Sequence, residues 1–154
     1  MSETYENRGS ISEGEGKIYL SIDEANALIP RIEPLVRRMV DLARDLQARY
    51  ERLAAIPAAR RERHPLYKDE LADIEAGIRR DFEKLKEWVD ELASLGAITK
   101  SPVEGIIDFY SQYNGRDIFL CWRLGEPQIE FWHEVDAGFA GRRPVCELLE
   151  SSTT

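Results

Sequence analysis

The sequence predicts an α+β fold, a long antiparallel α-helical hairpin packed on a small antiparallel β-meander of three to four strands. Three observations predict it. Two stretches of heptad-spaced apolar residues flank a proline-containing loop, the apolar period turns from helical to alternating after Gly96, and Asn114-Gly115 stands between two alternating runs. The length of 154 residues suits one domain, and 43% hydrophobic residues supply a core.

Residues 1–16 hold only Tyr5 and Ile11 as large apolar groups and read as a flexible N-terminal tail. Lys17 to Leu20 suggest a short strand. Ser21-Ile22-Asp23-Glu24 then has the form of a capping box, in which the Ser21 hydroxyl accepts from the Glu24 amide and the Glu24 side chain reaches back. Pro30 and Pro34 each remove an amide donor, so the helix is expected to kink or restart there. Leu28, Ile32, Leu35, Met39, Leu42, Leu46 and Leu53 form a coiled-coil-like seam interrupted at Arg49. Val36, Val40, Ala43 and Tyr50 widen that stripe beyond one partner, which suits packing on the sheet or on a second subunit. A second seam runs Leu71, Ile74, Ile78, Phe82, Leu85, Val89, Leu92, and Gly96 stands where a helix-ending glycine belongs. Between the seams lies a loop, Ile56 to Pro65, with the basic run Arg60-Arg61-Glu62-Arg63. The hairpin therefore covers about 22–95.

Alternation over Gly105–Ser111 and Arg116–Arg123, with a third run Gln128–His133, predicts three antiparallel strands. Asn114 and Gly115 both tolerate the positive φ of a type I′ turn, which pairs Ile107 with Trp122, Asp108 with Cys121, Phe109 with Leu120 and Tyr110 with Phe119. For the second hairpin, putting every apolar strand residue on one surface pairs Trp122 with Ile129 and Leu120 with Phe131. The opposite face then carries the rows Asp108, Cys121, Glu130; Tyr110, Phe119, Trp132; and Ile106, Arg123, Gln128, while His133 points away. Two unpaired carboxylates there would be expensive to bury, so this face is expected to meet water, a ligand or a partner. A glycine-rich loop closes the meander region, about 104–144. The single domain spans 17–145, followed by a flexible tail, 146–154.

The net charge is −8, with five basic and nine acidic residues between 96 and 154. Phosphate affinity comes from Lys and Arg, so nucleic acid is disfavoured and a cation or basic partner is favoured at the sheet. Apolar runs are too short for a membrane-spanning helix, and the start lacks the basic end and apolar stretch of a secretory signal. Cys121 and Cys146 form no CxxC pair, which points to a reducing, cytoplasmic setting.

The blocks Ser21–Pro30, Gly105–Phe109, Leu120–Pro127, Trp132–Glu134 and Asp136–Arg142, in this order and spacing, resemble an uncharacterised bacterial family catalogued as domain of unknown function 2203. The resemblance runs from about Ile18 to Pro144. It implies a small cytoplasmic bacterial protein, draws attention to the sheet and its trailing loop, and supplies no activity.

The candidate surface is Asp108, Tyr110, Cys121, Arg123, Glu126, Glu130, Trp132, His133, Asp136 and Arg142; no catalytic residue is assigned. Asp108, Cys121, Glu130 and His133 offer the mixed ligands that divalent metals accept, although no HxxxH or CxxC spacing occurs. The competing structural reading makes Cys121 a small hydrophobe and pairs the acids with Arg123. A thiol nucleophile at Cys121 needs a nearby base, and two adjacent acids would raise its pKa. The loop Asp136-Ala-Gly-Phe-Ala-Gly-Arg142-Arg143 fits no phosphate-loop pattern and is better read as a flap, with Phe139 as plug and Arg142 paired to Asp108, Glu130 or Glu134. The aromatic row lacks the basic surround that base stacking requires. The preferred function is a non-enzymatic cytoplasmic binding or regulatory module acting through the outer sheet face and the 134–143 loop, self-associating or bound to a protein partner. The alternative is a small metal-dependent or thiol-using enzyme centred on Asp108, Cys121, Glu126, Glu130 and His133. No motif requires a cofactor; a divalent metal is one that these residues would accept.

Overall fold

A computed structural model of the chain describes residues 16–57, 59 and 65–152. The expected basic loop tip, Arg60 to His64, and all but the last residue of the N-terminal tail lie outside these.

Ser21 starts the first helix as its capping box requires: its Oγ accepts from the Glu24 amide at 3.1 Å, and Glu24 Oε1 accepts from the Ser21 amide at 2.8 Å. Helix α1, Ile22–Ala54, then continues through both prolines without restarting. Pro30 and Pro34 are exposed, so the carbonyls they leave without amide donors lie on the wet side of the helix, where solvent can serve them. Ala25, Ile29, Ile32, Val36, Met39, Val40, Ala43 and Leu46 are buried, while Leu28, Leu35 and Leu42 are half-buried against the same core. The helix thus serves two partners, the sheet and helix α2, Pro65–Ser94. Arg49, which breaks the seam, bridges Asp45 on its own helix and Asp81 on α2. On α2 only part of the expected seam is used: Leu71, Leu85 and Leu92 are buried, whereas Ile74 and Phe82 face solvent. Gly96, at φ +95°, ends α2 with the Ala97 amide donating to Leu92 O at 2.9 Å.

Five strands, not three or four, form an antiparallel meander in chain order: β1 Ile98–Ser101, β2 Ile106–Tyr113, β3 Arg116–Arg123, β4 Phe131–Glu134 and β5 Arg143–Pro144. The two additional strands sit at the edges. Four residues and two residues are too short to show an alternation. The β2–β3 register is the expected one, and Asn114 and Gly115 adopt φ of 51° and 77°.

The second hairpin is corrected by one residue. Leu120 lies opposite Trp132 and Cys121 opposite Phe131, with Phe119 opposite His133. Because the side-chain period of a strand is two, this slip exchanges the faces of β4: Trp132 enters the core, and Phe131 and His133 join the outer face. The cause lies in the connection. Ile129 is buried without belonging to the ladder, its amide held by Asn26 Oδ1 of α1 at 2.6 Å, so its burial does not fix the parity of β4.

The outer face is not wet either. Asp108, Phe119, Cys121 and His133 are all buried. The chain before α1 runs along one side, with the Leu20 amide donating to Tyr110 O at 2.8 Å, and the 134–143 loop folds over the other. Residues placed in the C-terminal tail form a short helix, α3 Cys146–Ser152, because Leu148 finds a buried place in the core. Among the described residues no helix is long and apolar enough to cross a membrane.

Candidate functional site

Three adjacent strands bring the site together. Asp108 on β2 faces Cys121 on β3, and the slipped register turns His133 on β4 to the same surface. His133 Nε2 lies 2.8 Å from Asp108 Oδ2, and Nδ1 lies 2.7 Å from the main-chain oxygen of Glu134. A carbonyl can only accept, so Nδ1 carries a proton and Nε2 addresses the carboxylate. Asp108 Oδ1 is buried with no N–H or O–H donor. One donor atom from each of Asp108, Cys121 and His133 falls within 4.8 Å of the others.

The electrostatics separate the imidazole from the thiol. Burial alone would pull the His133 pKa down, but the hydrogen bonds to Asp108 and to Glu134 O, with the Asp108 charge, outweigh it and leave the pKa raised. Burial pushes the Cys121 thiol far up, and the Asp108 carboxylate adds to the effect. Metal-free Cys121 is a protonated, buried group rather than a nucleophile.

A pocket of about 310 Å³ opens above this cluster. Asp108 and His133 lie on its floor, Ile106, Phe119, Val135 and Phe139 form apolar walls, and Lys100, Ser101 and Glu104 come from β1 and the turn after it. Lys100 Nζ stands 4.5 Å from the Phe119 ring centroid. The loop that roofs it is pinned at both ends. Arg116 grips Glu134 with two hydrogen bonds of 3.0 and 2.7 Å. Arg142 donates to Glu126 Oε1 at 2.6 Å and to Cys121 O at 3.2 Å, its guanidinium 4.1 and 4.5 Å from the centroids of Phe131 and Phe139. The Arg142 partner is therefore Glu126, not Asp108, Glu130 or Glu134; Glu126 is within reach because it also caps the Arg123 amide, at 2.7 Å.

Of the expected residues, Asp108, Cys121 and His133 come together, with Glu126 and Arg142 beside them. Glu130 leaves the row because Phe131 takes the place opposite Cys121; its side chain is exposed. Trp132 moves to the core, 6.0 Å from Tyr113. Tyr110 packs between Tyr19 and Phe119. Arg123 and Asp136 are exposed, Arg123 reaching 3.9 Å from Glu104. Reasoning from sequence did not find Lys100, Ser101 or Glu104, since they depend on β1. The β-branched pair Ile98-Thr99, one residue beyond Gly96, is the signal that could have found them.

Neither a curated protein nor a solved structure matches the chain significantly. One family model does, over residues 18–145, and by this match the chain belongs to the family described as uncharacterized conserved protein DUF2203.

Proposed function

We propose that this chain is a non-enzymatic binding or regulatory module, cytoplasmic in setting, whose working part is the pocket on the outer sheet face. The observation that carries this reading is the pocket's composition: apolar walls from Ile106, Phe119, Val135 and Phe139, the buried Asp108–His133 pair, and the polar Lys100, Ser101 and Glu104 contributed by β1 and the turn after it. Small-molecule sites are built in this way, and about 310 Å³ lies at the small end of their range. A compact ligand fits it best, with its apolar body between Phe119 and Phe139 and its polar end on the floor. A thiol-using enzyme is disfavoured, because Cys121 is buried behind the floor and held in its protonated form.

The test is a protein-observed NMR titration with a panel of small aromatic and aliphatic acids, amines and alcohols. Hits should shift the amide signals of Lys100, Phe119, His133 and Phe139 together. The same hits should fail on Val135→Trp, which places an indole in the pocket mouth. Hits that perturb other surfaces only, or that survive Val135→Trp unchanged, overturn the reading.

A further inference from the structure

We infer that Asp108, Cys121 and His133 form a binding site for one divalent transition-metal ion of the zinc class, with its open coordination position turned to the pocket. The donors are a carboxylate oxygen, a sulfur and an imidazole nitrogen, all within 4.8 Å of one another. Sulfur and nitrogen donors select zinc-like ions over magnesium or calcium, which want oxygen alone. Tetrahedral bonds of about 2.0–2.3 Å separate such donors by roughly 3.3–3.8 Å, so the cluster closes on an ion by shifts of about an ångström or less.

Two further observations point to a ligand here. Asp108 Oδ1 is buried and lacks an N–H or O–H donor, and beside His133 the carboxylate has the weak Cys121 S–H for a partner, a poorly satisfied acceptor that a cation would fill. Moreover, the His133 Nδ1 bond to Glu134 O leaves Nε2 as the inward-facing nitrogen, the outer-shell arrangement that aims and holds a metal-binding imidazole. Neighbouring acids do not compete: Glu126 is taken up by Arg142, and Glu130 is exposed. Asp108 and His133 line the pocket and Cys121 does not, so the fourth position opens on the pocket side. Three protein ligands with one open position suit exchangeable coordination of water or a small carboxylate. The site shares its floor with the binding reading but stands without it.

The full chain, stripped with a chelator, is titrated with cobalt(II) as a spectroscopic substitute and then with zinc alone. One equivalent of cobalt should produce a thiolate charge-transfer band and the visible absorption of tetrahedral cobalt, both removed by one equivalent of zinc. Cys146→Ser should leave the signal intact, and because the titration uses the metal alone, with no organic ligand, failure of the metal site is distinguishable from failure of the pocket. Cys121→Ser should abolish the charge-transfer band, and His133→Ala should weaken binding by more than about 100-fold, beyond the loss of an outer-shell partner. Should either variant not fold, X-ray absorption of the zinc-loaded wild type decides, with one sulfur and one imidazole expected. No charge-transfer band, a shell of oxygen and nitrogen only, or a signal that follows Cys146 overturns the inference.

Discussion

At the scale of single residues, the His133–Asp108 pair is the most consequential contact, since both side chains are almost wholly buried. Removing one partner of a buried pair leaves the other uncompensated, so Asp108→Asn should lower stability by about 3 kcal/mol in urea unfolding. The pair also gives a pH signature in protein kept metal-free by a chelator. His133 has a raised pKa in the folded state, so the native protein holds a proton that the unfolded chain releases near 6.5. Its contribution is complete below that value and fades as pH rises through the folded pKa, with a slope of at most about 1.4 kcal/mol per pH unit. The groups facing it are Asp108, Cys121 and Lys100, and the buried thiol, raised as well, carries the same sign into the alkaline range. Urea midpoints from pH 6 to 9 should fall in the wild type and flatten in His133→Gln; equal slopes would refute the pairing.

At the scale of elements, legibility followed locality. The capping box and the β2–β3 register could be read because Ser21-Glu24 and Asn114-Gly115 determine them within a few residues. The pairing of Asp108 with Cys121 was therefore legible, and half of the candidate site with it. His133 was among the candidate ligands, but its place on the outer face was not legible, because the parity of β4 depends on Asn26, 103 residues away, and Lys100 was hidden in a four-residue strand. Helix α2 shows the same limit, since heptad spacing marks which residues can pack and not which ones find a partner. Leu85→Ala should cost about 2–4 kcal/mol, whereas Phe82→Gln, at a position 62% exposed, should change stability by no more than about 0.5 kcal/mol. Thermal melts of the two variants check this directly, and comparable losses would mean that Phe82 has a partner.

At the scale of the whole molecule, the broad stripe of α1 that suggested a second subunit is filled from within the chain in part only, since Tyr50 stays 65% exposed. Val36, Val40 and Ala43 are buried in the common core. Light scattering reads the expected self-association: the mass of one copy, 17.7 kDa, at high concentration would remove it, and a dimer mass would point to the exposed Tyr50, Ile74 and Phe82. Close approach of layers also explains Gly105, where φ is +70° and an added Cβ would stand 2.8 Å from Leu124 Cβ and 3.1 Å from Val40 Cγ2. The Asn26–Ile129 bond has a consequence in time as well as in space. The first hairpin carries its register in its own turn and can assemble by closing a loop of two residues, while the second must wait for a helix from the other end of the chain to dock. The outer-face cluster is therefore expected to be a late product of folding. Until α1 is seated, the strand that supplies His133 is free to pair one residue out of step, with its imidazole on the wrong side of the sheet.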